Sequence, residues 1–138
     1  MSLSVSSQAT FGLADGVVIA LGLIVSLAGQ RHAVVHAALG AGLAELVGMT
    51  AGAWLSDSGS GFRPALANGG AAFAACVIPA IPYGVSGGAG AFVASLALVA
   101  GVAAVIAWLR PERGVLAIVQ TYGVLLVAAA LCWGASLI

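Results

Sequence analysis

Two acids stand where acids are costly. Asp15 lies within Phe11-Gly12-Leu13-Ala14-Asp15-Gly16-Val17-Val18, and Glu45 within Leu43-Ala44-Glu45-Leu46-Val47, with no lysine or arginine in either stretch. If these stretches cross a bilayer, a carboxylate at its centre costs about 2.5–3.5 kcal/mol on insertion scales, so such residues serve a pathway or a partner. An acid without a basic neighbour is left with three options: a proton and a backbone hydrogen bond, a water-filled cavity, or a bound cation. Met49 follows Glu45 by one helical turn. Carboxylates suit hard divalent cations, and a thioether shifts preference toward softer first-row metals. Asp15, Glu45 and Met49 together make a chemically reasonable ligand set for a passing Fe²⁺ or Mn²⁺. Read singly, Met49 is packing and each acid a protonated, hydrogen-bonded group.

The elements that would position these residues are transmembrane helices. Hydrophobic residues make up 62% of the 138-residue chain and charged residues 6%, whereas soluble domains are about a quarter charged. That leaves too little polar surface to coat a water-soluble globule. A spanning helix needs about 20 apolar residues, with charges gathered between spans. Five segments qualify: 11–28, 33–55, 65–83, 90–109 and 115–137. The connections are short, so the expected architecture is all-α, one five-helix membrane domain over 1–138 with antiparallel neighbours. Met1 to Thr10 has no positive residue and no cleavage pattern, so the first segment reads as a retained span.

Charge placement gives the orientation. Arg63, Arg110 and Arg113 fall in the second and fourth loops, Arg31 in the first. The positive-inside rule then places the N-terminus in the cytoplasm of a cell-membrane protein and the C-terminus outside. The remaining acids, Asp57 and Glu112, are in loops, and net charge is zero. Neither nucleic-acid binding nor electrostatic docking on anionic lipid is suggested.

Small residues recur at four-residue intervals, Gly12 with Gly16 and Gly48 with Gly52. Small residues let membrane helices approach closely, so the first two spans are expected to form the tightest part of the bundle. At about 100° per residue, Ala38, Ala41, Glu45, Met49, Gly52 and Ser56 share one face of span two, and Gly12, Asp15, Gly16 and Ile19 the comparable face of span one. Counting from span centres places Asp15 level with Met49, each about 7 Å toward the cytoplasm, and Glu45 a turn deeper.

Other polar positions carry weaker expectations. Asn68, Gln120 and Thr121 would line a cytoplasmic mouth or hydrogen-bond between helices. Trp54, Tyr83, Trp108 and Trp133 sit near span ends, as interfacial aromatics do. Pro79 and Pro82 should close span three and free carbonyls that only water or protein can satisfy. Cys76 and Cys132 read as small buried hydrophobes. His32 and His36 are a turn apart, placed to hold a metal or simply to end a loop in water. No nucleophile–base pair, phosphate loop or hydrolase motif appears, so no enzyme and no tightly bound cofactor are expected.

Three stretches resemble the vacuolar iron transporter family, which includes the plant nodulin-21-like proteins. They are Phe11 to Val18 with Leu21-Gly22-Leu23, Gly48-Met49-Thr50-Ala51-Gly52-Ala53-Trp54-Leu55-Ser56, and Ile78-Pro79-Ala80-Ile81-Pro82-Tyr83. They are similar to the family's Asp-Gly start of span one, its Ser-Met-Ala-Ala-Gly-Glu-Tyr-Leu-Ser ending of span two and its Pro-Leu-Leu-Pro-Tyr close of span three. The resemblance implies a homodimer exporting Fe²⁺ or Mn²⁺ from the cytosol, commonly against protons, along an interface lined by the first two spans. By motif, Asp15 and Met49 match the family's pathway residues. The chain departs from the family in three places. Ser56 to Pro64 replaces a long acidic insert, Ala53 replaces a glutamate, and Glu45 stands about a turn from the usual acid. The expected function is divalent-metal transport. The rivals are a non-transporting subunit of a larger membrane complex and a proton-coupled exporter of organic cations, the latter requiring an aromatic-lined cavity.

Overall fold

The computed structural model describes residues 5–56, 61–110, 114–135 and 137. The loop charges Asp57, Glu112 and Arg113 lie outside the described residues. The protein is all-α, with helices α1 (Val5–Ser26), α2 (Arg31–Ser56), α3 (Phe62–Val77), α4 (Ile81–Val85), α5 (Gly88–Leu109) and α6 (Val115–Ala135). A single 3-10 turn, Ile78–Ala80, joins α3 to α4. Taken with that turn, α3 and α4 form one span, and the described residues include five helical spans long and apolar enough to cross a membrane.

The first span starts earlier than its apolar run predicts, at Val5 rather than Phe11. Its first turns are polar but helical. Thr10 satisfies its hydroxyl by donating to the Ser6 carbonyl, 2.8 Å, and Gln8 is buried within the bundle. The third span also differs from expectation. The two prolines do not end it; each removes one backbone donor, and the chain tightens instead. The Ile81 amide reaches the Ile78 carbonyl, one residue short of the α-helical partner, and the helix resumes to Val85.

Packing centres on α1 and α3. Gln8, Gly12, Gly16, Ala20 and Ile24 form a buried stripe along α1 at four-residue spacing. A Cβ on Gly12 would strike the backbone carbonyl of Asn68, and one on Gly16 that of Ala72. The two backbones therefore meet along these small-residue stripes. On its other side α3 receives α2: Gly69 lies against Leu46 and Thr50, and Gly42 against Phe73 and Val77. Helices α1 and α2 touch each other much less than either touches α3.

This corrects the expected pairing. Gly12 and Gly16 do pack, but against α3; the first two spans are not the tightest pair. Gly48 and Gly52 meet no neighbouring atom at all. They are exposed and border an open cavity beside α1 and α3, on a helix that buries only Val34, Ala38 and Gly42 of its 26 residues. Helices α5 and α6 close the far side of α1, adding Val99, Ala103, Ile106 and Leu125 to a core shared with Val17, Leu21, Ile24 and Tyr83.

Tyr83 is not an interfacial aromatic. It is 1% exposed, and its hydroxyl donates to the Ala28 carbonyl at 3.3 Å. Arg31 completes this junction, donating from Nε to the Tyr83 carbonyl and from a terminal nitrogen to that of Gly84, both at 2.8 Å. A cation at a helix C-terminus satisfies carbonyls with no intrahelical donor and complements the helix dipole. Trp54, Trp108 and Trp133 are exposed near helix ends, as interfacial residues should be.

Candidate functional site

The two acids meet. The Asp15 carboxyl lies within hydrogen-bonding reach of Glu45, although α1 and α2 approach each other only sparsely. The reason is angular. Gly12 and Gly16 turn one face of α1 onto α3, and Asp15, one residue before Gly16, is rotated about 100° from it toward α2. On α2, Leu46 and Thr50 contact α3 at Gly69, which turns Glu45 toward α1. Helix α3 thus sets the spacing that brings the pair together.

The depth expectation is revised. Because α1 starts at Val5, Asp15 is the eleventh of its 22 residues and lies at the midpoint of the helix. Glu45 is the fifteenth of 26 in α2, near that helix's midpoint, and Met49 the nineteenth. Asp15 is level with Glu45, and Met49 is displaced by about 6 Å toward the end where α1 begins. The error came from locating the helix start by hydropathy alone.

Polar atoms concentrate in this seam between α1, α2 and α3. Glu45 Oε2, Thr50 Oγ1 and Asn68 Oδ1 are buried with no hydrogen-bond partner. Each such atom carries a desolvation penalty that a proton, water or cation would relieve. Carboxylates are acceptors only when ionised, so two in contact require a proton or a cation between them. Among the described residues no three or more His, Cys, Asp and Glu side chains gather as a metal cluster. The seam instead offers two carboxylates, a thioether and neutral oxygens.

A cavity of about 470 Å³ opens between α1, α2 and α3 one helical turn from the acids: Phe11 and Met49 line it, and Asp15 and Glu45 do not. Its lining includes Ser7, Gln8, Met49, Gly52, Ser56 and Asn68, from the start of α1, the end of α2 and the first half of α3. Its one aromatic is Phe11, which is not the aromatic cage an organic cation would need. Met49 therefore lies in the cavity wall, and the acids lie about one turn deeper, outside its lining. On the other side of the pair the packing is apolar, through Ala38 and Val34, with Cys76 buried against the Ala38 carbonyl at 3.6 Å.

Two residues of the seam escaped the sequence reading, Gln8 and Thr50. Gln8 precedes Asp15 by seven residues, two turns along one face. That spacing was a usable signal, hidden because Gln8 lay outside the apolar segment. The other polar candidates do not join the seam. Thr121 donates to the Ala117 carbonyl of its own helix, 2.8 Å, and with Gln120 lines a different cleft. His36 Nδ1 donates to the His32 carbonyl at 2.7 Å, which leaves its Nε2 free, and both rings are exposed at the start of α2, away from the seam. Cys76 is buried and Cys132 half-buried, both free thiols.

Comparison with family models, with characterised proteins and with solved structures finds no match to this chain.

Proposed function

We propose that this protein carries a divalent transition-metal ion, Fe²⁺ or Mn²⁺, across the membrane. The observation that carries this reading is the contact between Asp15 and Glu45 near the helix midpoints, about one turn beyond a cavity lined by Met49. The ion leaves water among Ser7, Ser56 and Gln8 and meets the Met49 thioether. It then displaces the proton held between the two carboxyls. That displacement couples metal movement to proton release in the opposite sense. The likeness of the Asp15 and Met49 motifs to those of the vacuolar iron transporters supports the same assignment. With Arg63 and Arg110 at the end where α1 begins, the positive-inside rule places the cavity mouth in the cytoplasm, and the direction is export.

The transporting unit in this reading is a homodimer. Gly40, Ala44, Gly48 and Gly52 are exposed on α2 at four-residue spacing, a stripe suited to close helix packing in lipid. Glu45 and Met49 border it, so two copies joined there would place both acid pairs beside a common axis. The same stripe would serve a non-transporting subunit of a larger complex, and flux decides between the two.

The test is metal uptake into proteoliposomes loaded with an ion-sensitive dye. Asp15→Asn and Glu45→Gln should each slow Fe²⁺ or Mn²⁺ flux by at least about tenfold, the loss typical when a metal's ligand surroundings are disturbed. An Asp15→Ala protein that moves either ion at the wild-type rate ends the transport reading.

A further inference from the structure

A second and larger space lies along the neighbouring face of α1 and shares Ser7 and Phe11 with the first. It is a cleft of about 570 Å³ between α1, α5 and α6. Phe11, Val18 and Val124 are among the apolar residues of its walls, and Phe11 and Val124 are exposed by 62% and 60%. At one end the lining turns polar, with Ser7, Thr10, Arg110, Gln120 and Thr121. These come from the first two turns of α1, the residue that follows α5 and the second turn of α6. The chain topology brings those three helix ends to the same side of the membrane. Thr10 and Gln120 are each the sixth residue of their helix, so the polar ring sits about 7–8 Å in from the helix ends.

We infer that this cleft binds an anionic phospholipid, its phosphate held by Arg110 and Gln120 and an acyl chain lying along the apolar walls. An apolar space of this kind stays free of water, and in a bilayer hydrocarbon fills it. The polar end selects the headgroup. Arg110 presents a planar fork of donors suited to phosphate oxygens, and the Gln120 amide adds two more. The hydroxyls of Thr10 and Thr121 already donate to the carbonyls of Ser6 and Ala117, so their oxygens remain as acceptors for a glycerol hydroxyl. Among the described residues no acid lines the cleft, so nothing there pairs with the ammonium of a zwitterionic headgroup. The zero net charge that argues against docking on an anionic surface does not apply to one arginine at the mouth of an apolar slot.

The inference is independent of metal transport and is tested separately. Protein extracted in mild detergent is given equimolar phosphatidylglycerol and phosphatidylcholine, and bound lipid is counted by native mass spectrometry. The wild type should favour phosphatidylglycerol about fivefold, the enrichment expected of one arginine facing a lipid of net negative charge and not a zwitterion. Arg110→Gln should bring the ratio to parity, while Arg63→Gln, on the same membrane side but outside the cleft, should leave it unchanged. Val124→Trp, which fills the slot and keeps the charge, should reduce the number of lipids retained. The inference is overturned if Arg110→Gln keeps the preference, if Arg63→Gln loses as much, or if Val124→Trp retains its lipid. Displacement of the lipid by inorganic phosphate alone would equally overturn it, by showing an anion site with no role for the chain. Should Arg110→Gln fail to fold, Arg110→Lys and Val124→Trp carry the test: the first should keep the preference in part, the second should lose lipid.

Discussion

At the scale of single residues, the acids matter through each other. Glu45 has a buried oxygen without a partner and Asp15 within reach, so removing either carboxyl changes what the other can hold. The double substitution Asp15→Asn with Glu45→Gln should therefore slow metal flux little more than either single one. A double-mutant cycle on flux checks this, and full additivity would show that the two act apart. Met49→Leu should weaken apparent metal affinity while leaving maximal flux closer to wild type, because the thioether lies in the cavity wall and not at the pair. The acids themselves were legible in the sequence, since an acid in an apolar stretch is conspicuous. Their contact was not, because it depends on a third helix that keeps α1 and α2 apart at other levels. Gln8 and Thr50 were missed because neutral polar residues in membrane helices usually hydrogen-bond locally and give no signal in composition.

At the scale of elements, glycines with the same spacing do different work. Gly16→Leu would push a side chain into the Ala72 backbone and should destabilise the fold by about 1–3 kcal/mol or more. Gly48→Leu meets open space and should leave the monomer's thermal unfolding in detergent near that of the wild type. A large loss of stability in Gly48→Leu would contradict the arrangement of helices described above. The junction between span three and the first loop is held by Arg31, which donates to the carbonyls of Tyr83 and Gly84. Arg31→Gln should speed amide exchange over 81–86 while the middle of α1 stays protected. Protection that is unchanged there would mean that α4 is held by packing alone. The sequence marked Pro79 and Pro82 as a break. Two missing donors do not say whether a helix stops or tightens, and here the Ile78 carbonyl, which Pro82 cannot serve, takes the Ile81 amide instead, while Arg31 at the start of α2 caps the carbonyls where α4 ends.

At the scale of the whole molecule, α1 borders two spaces, and its Ser7 and Phe11 line both. One lies with α2 and α3 about a turn from the acid pair, the other with α5 and α6. If α2 forms the interface between two copies, Gly48→Leu should convert a detergent-extracted homodimer to monomer, measured by light scattering with lipid and detergent subtracted. Retention of the dimer would move the interface elsewhere. The sequence by itself determined the solvent and the class of fold: too few charges to coat a globule, and apolar runs of the right length, admit only a helical bundle in lipid. It also determined which side chains were expensive enough to need a reason. Only the tertiary structure decided which helices share a face. Four-residue spacing states that a helix can be approached closely but not by whom. Gly12 with Gly16 and Gly48 with Gly52 read alike along the chain, yet one pair is filled by the backbone of α3 and the other is left open to the membrane.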